Sequence, residues 1–155
     1  MKLTLLFCGK TREQHVLDGM QEYLKRIKHY FKIEVIESAE VKNISDPELQ
    51  KEAEAERLLK HINPGGFLVL LDEKGKEFTS RQFASFIEKK SITGTKNMVF
   101  VIAGAYGAHI KLLDHVDAKV ALSKMTFPHQ LVRLIFAEQL YRACSIIRKE
   151  PYHHD

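Results

Sequence analysis

The chain opens on a short apolar run, Lys2 to Cys8 (KLTLLFC), cut off by Gly9, and this predicts a buried first strand. From Arg12 to Tyr30 the period changes. Val16, Met20, Leu24 and Ile27 recur at helical spacing, which predicts an amphipathic helix. Lys32–Ser38 (KIEVIES) alternates and puts Ile33 and Val35 on one face, as in an edge strand. Ser45-Asp46-Pro47-Glu48 is a helix start, with a capping side chain before proline and an acid at the positive end of the dipole. That helix, rich in Glu and Lys, is expected to reach about Ile62, ahead of Asn63-Pro64-Gly65-Gly66. Phe67–Leu71 (FLVLL) predicts a fully apolar central strand, with Gly75 in the loop beyond. Thr79-Ser80 caps a helix whose inner face carries Phe83, Phe86 and Ile87. Met98–Ala103 (MVFVIA) and Lys119–Ser123 (KVALS) predict two further strands. Pro128 opens a long last helix bearing Leu131, Leu134, Ile135, Phe136, Leu140, Ile146 and Ile147.

Strands alternating with helices, several of them apolar on both faces, predict an α/β fold built on a parallel sheet flanked by helices. No repeat, linker or low-complexity segment interrupts residues 1–155, so one domain is expected. The longest apolar run, Met98 to Ala105, is too short to cross a bilayer, and no export signal opens the chain. Cys8 and Cys144 lie far apart in apolar surroundings, outside any metal-ligand spacing, so buried thiols, no metal and a cytoplasmic location are expected. Charge is unevenly placed. Residues 1–77 hold 13 Lys/Arg against 14 Asp/Glu, whereas residues 78–155 hold 11 against 6 and five of the eight histidines. A basic C-terminal half suits a polyanion such as RNA, but plain solubility explains the charge equally well.

In open α/β sheets ligands bind beyond the carboxyl ends of the strands. Three such ends mix apolar, small and glycine residues: Leu71 to Gly75, Ala103 to Gly107, and Leu122 to Phe127. They suit a purine held mainly by main-chain groups, with Gly104 and Gly107 permitting close approach. Other nucleotide motifs fail. Gly9-Lys10-Thr11 imitates the end of a P-loop, yet the earlier glycine that motif needs would fall at Thr4. No GxGxxG, HExxH or GxSxG is present. Along the last helix Arg133, Arg142, Arg148 and Lys149 line up positive charge, with His129 near its start and Pro151-Tyr152-His153-His154 beyond its end. Arginine suits phosphate, and Tyr or His can stack on an exposed base. A solvated face paired with Glu138 and Glu150, and a tail that merely anchors the chain end, are the plainer alternatives.

Leu122–His129 (LSKMTFPH), Glu138 to Ala143 (EQLYRA) and Pro151-Tyr152-His153, in that order, resemble the RlmH family, formerly YbeA, of large-subunit ribosomal RNA pseudouridine N3-methyltransferases. The likeness runs from KLTLLFCGK to the final PYHHD and takes in Leu71-Asp72-x-x-Gly75-Lys76 and Ile102-Ala103-Gly104-x-x-Gly107. It implies a single-domain SPOUT fold whose C-terminal segment makes a trefoil knot, an exception to the usual rule against knots. It also implies a homodimer with active sites at the subunit interface. The implied substrate is the pseudouridine in the loop of helix 69 of 23S rRNA, on the assembled ribosome. The implied cofactor is S-adenosyl-L-methionine, held by Leu71, Ala103, Gly104, Leu122, Ser123, Lys124, Met125, Thr126 and Phe127. This chain departs from the family in having Ala103 where a glycine is usual. It also has His154 where an Arg or Lys is common, and a histidine is only partly charged near neutral pH.

Methyl transfer to N3 is a displacement that needs alignment and the departure of a weakly acidic proton. His153 is the candidate base and Tyr152 its orienting or stacking partner, while Arg142 is the candidate for holding a phosphate or polarising a uracil carbonyl. The rival functions are a non-catalytic ribosome-binding factor, an enzyme of the same fold acting on tRNA, and a small-molecule nucleotide enzyme.

Overall fold

A computed structural model describes residues 1–154. Five strands alternate with five helices in the order β1 (Lys2–Phe7), α1 (Gln14–Ile27), β2 (Lys32–Glu37), α2 (Pro47–Leu59), β3 (Phe67–Glu77), α3 (Ser80–Ile92), β4 (Asn97–Ile102), α4 (Ile110–Leu113), β5 (Ala118–Ala121) and α5 (Leu131–Ile147). The strands form one sheet, β2-β1-β4-β3-β5, in which every pairing is parallel. Alternate residues of each inner strand feed opposite layers. Leu3, Leu5 and Phe7, with Val69, Met98, Phe100 and Ile102, face α1, α3 and α5. Leu6, Leu68, Leu70, Val99 and Val101 face α2 and α4. This accounts for the unbroken apolar runs, because a strand covered on both sides has no polar face to show.

Local chemistry sets the helix starts. Asp46 caps α2 by accepting from the backbone N–H of Glu48 and Leu49, and Thr79 and Gln82 form a reciprocal capping box on α3. α2 stops at Leu59, three residues short of the expected Ile62, and continues to Ile62 only as turns. The four-residue α4 is too short to show a helical period in the sequence.

Gly75 is not a loop residue. β3 extends to Glu77, and Leu71 and Lys76 both stand opposite Val120 of β5, so residues 72–75 bulge out between them. A Cβ on Gly75 would lie 2.7 Å from the β5 backbone at Lys119 and Val120. The glycine is there because two backbones meet.

Arg133 also departs from the expected solvated face. It is fully buried, with Nη1 donating to Gly9 O at 3.2 Å and Thr11 Oγ1 at 2.7 Å, and Nη2 donating to Cys8 O at 2.7 Å. Its guanidinium lies over Phe7, 4.8 Å from the ring centre. Gln130, one turn earlier, donates to Lys10 O and accepts from the N–H of Arg12. The start of α5 is thus sewn to the segment leaving β1.

Candidate active site

The bulge of β3 and the loops after β4 and β5 meet at the carboxyl ends of the strands and enclose a cavity of about 850 Å³. Eight of the nine expected cofactor residues line it: Leu71, Ala103, Gly104, Leu122, Ser123, Met125, Thr126 and Phe127. Lys124 does not. Its side chain is 83% exposed, and Nζ stands 3.7 Å from Glu77.

The cavity's loops are held by short-range hydrogen bonds. Ser123 Oγ accepts from the N–H of Met125 at 3.0 Å, Asp72 accepts from the N–H of Lys74 at 2.9 Å, and Thr126 Oγ1 donates to Glu73 at 3.1 Å. The loop after β4 closes with the N–H of Gly107 donating to Gly104 O, Gly107 having a φ of +82° that favours glycine. Gly104 is needed for a different reason: a Cβ there would lie 2.8 Å from the carboxyl carbon of Glu54 on α2. The sequence pointed to Gly104 but not to Glu54 or Lys51, because nothing local says that α2 backs this loop. Among the described residues no cluster of His, Cys, Asp and Glu is placed to hold a metal.

The second set of residues stands apart. α5 ends in a Schellman closure, with the N–H of Lys149 donating to Ile146 O and that of Glu150 to Ser145 O. Lys149 itself adopts a φ of +58°. The chain then folds Tyr152 back onto the helix, edge-on to Tyr141 at 4.6 Å. Arg142 and Tyr152 converge on Glu138, whose Oε1 accepts from Arg142 Nη2 at 2.5 Å and from the Tyr152 hydroxyl at 3.1 Å. The guanidinium of Arg142 lies 4.9 Å from the centre of the Tyr152 ring, and its Nη1 is 3.4 Å from His153 Nδ1. The hydrogen bond to Glu138 raises the Arg142 pKa, and burial first, with Tyr23 and Glu138, raises that of Tyr152. Glu138, expected from the sequence as a partner for the helix arginines, joins these groups through its i,i+4 pair with Arg142.

None of Arg142, Tyr152 and His153 lines the cavity. The cavity meets α5 at Val132, ten positions before Arg142, which is roughly 15 Å along the helix axis.

A parallel sheet with a pocket at its carboxyl ends and a C-terminal helix packed against α1 and α3 is the setting, and the family match gives the class: the chain belongs to the family described as "Predicted SPOUT methyltransferase", which matches residues 1–153. Among curated proteins, "Ribosomal RNA large subunit methyltransferase H" of Phocaeicola vulgatus is 51% identical, and that of Parabacteroides distasonis 49%, each over all of both chains. The protein of the same name in Carboxydothermus hydrogenoformans is 42% identical over 99% of both. This chain is a member of that methyltransferase H family. Among solved structures, a probable methylase family protein from Haemophilus influenzae Rd KW20 superposes with a TM-score of 0.52 at 10% identity. The match covers 95% of this chain and 66% of that one, and is a likeness of fold alone.

Proposed function

We propose that this enzyme methylates N3 of the pseudouridine in the loop of helix 69 of 23S rRNA, on the assembled ribosome in the cytoplasm. S-adenosyl-L-methionine is the donor, and the working unit is a homodimer. The observation that carries the dimer is the gap of roughly 15 Å between the cavity and the Arg142–Tyr152–His153 cluster of the same chain. A second protomer brings its cluster to the first protomer's cavity. The knot implied by the family belongs to the same reading.

The cavity suits the donor. Its size is that of a nucleoside-sized ligand site, and its wall at Leu71, Leu122 and Phe127 is apolar. The bound cofactor supplies a methyl group on a positively charged sulfur. The chain's own residues align, desolvate and move the proton. Glu138 fixes Arg142 and Tyr152 together. Arginine can only donate, so in the Arg142 contact the Nδ1 of His153 is an acceptor and Nε2 carries the ring hydrogen. His153 takes a proton at Nδ1 once Arg142 turns from it to a phosphate or carbonyl of the RNA.

Single-turnover methylation of ribosomes, free subunits and tRNA tests the substrate, with ribosomes expected to react fastest. His153→Ala and Arg142→Ala are expected to slow the reaction by two orders of magnitude or more while cofactor affinity stays unchanged. A full rate from His153→Ala sinks the base assignment. Mixing Arg142→Ala with the cavity variant Ser123→Trp, each expected to be inactive alone, restores activity in the mixed dimers if sites are shared. A mixture that stays inactive removes the interface reading.

A further inference from the structure

Glu54 lies on α2, outside every segment assigned to the cavity, and its environment is unusual for an acid. The residue is 6% exposed. Oε1 accepts from Gln50 Nε2 at 2.9 Å, whereas Oε2 is enclosed and has no hydrogen-bond partner. Other acids on this helix are matched by cations: Glu48 by Lys51 at 2.5 Å, and Glu52 and Glu56 by Lys111 at 2.7 Å. No cation pairs with Glu54 among the described residues. The Cys8 thiol hydrogen-bonds to the Glu54 side chain but brings it no positive charge. Burial first, and then the Glu54 carboxylate, push that thiol up to about 12.

The carboxyl is pressed against the loop after β4, where a Cβ at position 104 would lie 2.8 Å from its carbon and would force the Glu54 side chain to move, and Gly104 also lines the cavity. A buried carboxyl oxygen with no hydrogen-bond partner, on an acid with no cation beside it, is costly to retain and calls for an explanation. A positive charge bound in the cavity provides one. The loop at Gly104, which lies against the carboxyl, is also part of the cavity wall.

We infer that Glu54 is a specificity-determining residue that makes the cavity prefer a positively charged nucleoside over its neutral counterpart. This rests on the reading of the cavity as the S-adenosyl-L-methionine site. The donor carries a sulfonium where its demethylated product, S-adenosylhomocysteine, carries a neutral thioether. Glu54 does not line the cavity, so it acts through its field and not by contact. The consequence is a donor held in preference to its own product, which favours exchange of one for the other after each turnover.

Calorimetry on the full-length protein tests this with three ligands: S-adenosyl-L-methionine, S-adenosylhomocysteine, and sinefungin, which carries an amine in place of the sulfonium. Glu54→Gln keeps the shape and removes the charge. Affinity for the two cationic ligands is expected to fall about tenfold, or about 1.4 kcal/mol, while that for the neutral product moves less than twofold. Equal losses for all three, or no loss at all, overturn the inference; the second result is also what a protonated Glu54 would give. Gln50→Lys places an ammonium beside Oε1 without touching Glu54. It is expected to reproduce the selective loss, and keeps the test open if Glu54→Gln does not fold. A wild-type protein that binds none of the three removes the cofactor reading itself. One that binds all three with preferences unchanged in both variants removes only the role of Glu54.

Discussion

Arg133 and Arg142 share one helix, and at about 100° per residue their nine-position separation places them on opposite sides of it. Arg133 is completely buried, and the acceptors around it are the carbonyls of Cys8 and Gly9 and the hydroxyl of Thr11, in a segment more than 120 residues earlier. Burial lowers its pKa, and Glu37 at 3.9 Å only partly offsets that. Arg142 keeps a quarter of its side chain exposed and is held by a carboxylate one turn away, with Tyr152 and His153 beside it. One guanidinium is consumed in closing the fold. The other is aligned by its neighbours and still has donors to offer. Arginine on a basic helix is therefore no guide to RNA contact until the acceptors on each side are known.

The contrast makes graded predictions. Arg133→Ala is expected to cost about 3–5 kcal/mol of stability, because several buried acceptors lose their donor at once. Urea unfolding measures it, and a loss under 1 kcal/mol would make Arg133 as dispensable as a surface residue. Arg142→Ala is expected to leave the unfolding midpoint within a few degrees while slowing methylation about 100-fold, equivalent to roughly 2.7 kcal/mol. A variant that unfolds early and reacts normally when folded would erase the distinction between the two arginines. Lys149→Gly relieves the left-handed backbone at the end of α5 and is expected to add about 0.5–1 kcal/mol, read from the same unfolding curves. If the activity of this variant falls, the lysine side chain has a role beyond closing the helix.

The smallest effect concerns the thiols, one in each region. Cys8 belongs to the Arg133 shell and Cys144 lies towards the tail, and burial pushes both up to about 12. At pH 8 the thiolate is then about one part in ten thousand, so both resist alkylation in the native state. Cys8 is expected to label faster in Arg133→Ala with Cys144 unchanged, as mass spectrometry of the labelled peptides would show. Because these folded pKa values lie above the ordinary 9.0, the stability they contribute is intact below pH 9 and declines as pH rises from 9 towards 12. Urea midpoints that are flat across that range would contradict the thiol assignments.

The elements themselves were legible along the chain. Val16, Met20, Leu24 and Ile27 recur every three or four residues, and Val16, Met20 and Ile27 are buried in the core with Leu24 half-buried beside them. The unbroken run Phe67–Leu71 becomes a strand covered on both sides, and Asp46 before Pro47 starts a helix as its chemistry requires. Such features depend on neighbours within a few positions, and short-range spacing carries that information. The three loops of the cavity could be proposed from strand ends and from resemblance to a family, and the fold brings eight of their nine expected residues to one place. What required the tertiary structure was every property set by a partner distant in sequence. Gly75 reads as a loop glycine until β5 is laid against it. Arg133 reads as a surface cation until β1's exit wraps it, and Glu54 reads as one more acid on a charged helix until Gly104 presses against its carboxyl. The amino-acid order specified which groups exist and how each segment coils. Burial and pairing, which determine whether a charge closes the fold, tunes a pocket or meets a substrate, came only with the contacts made across the sheet.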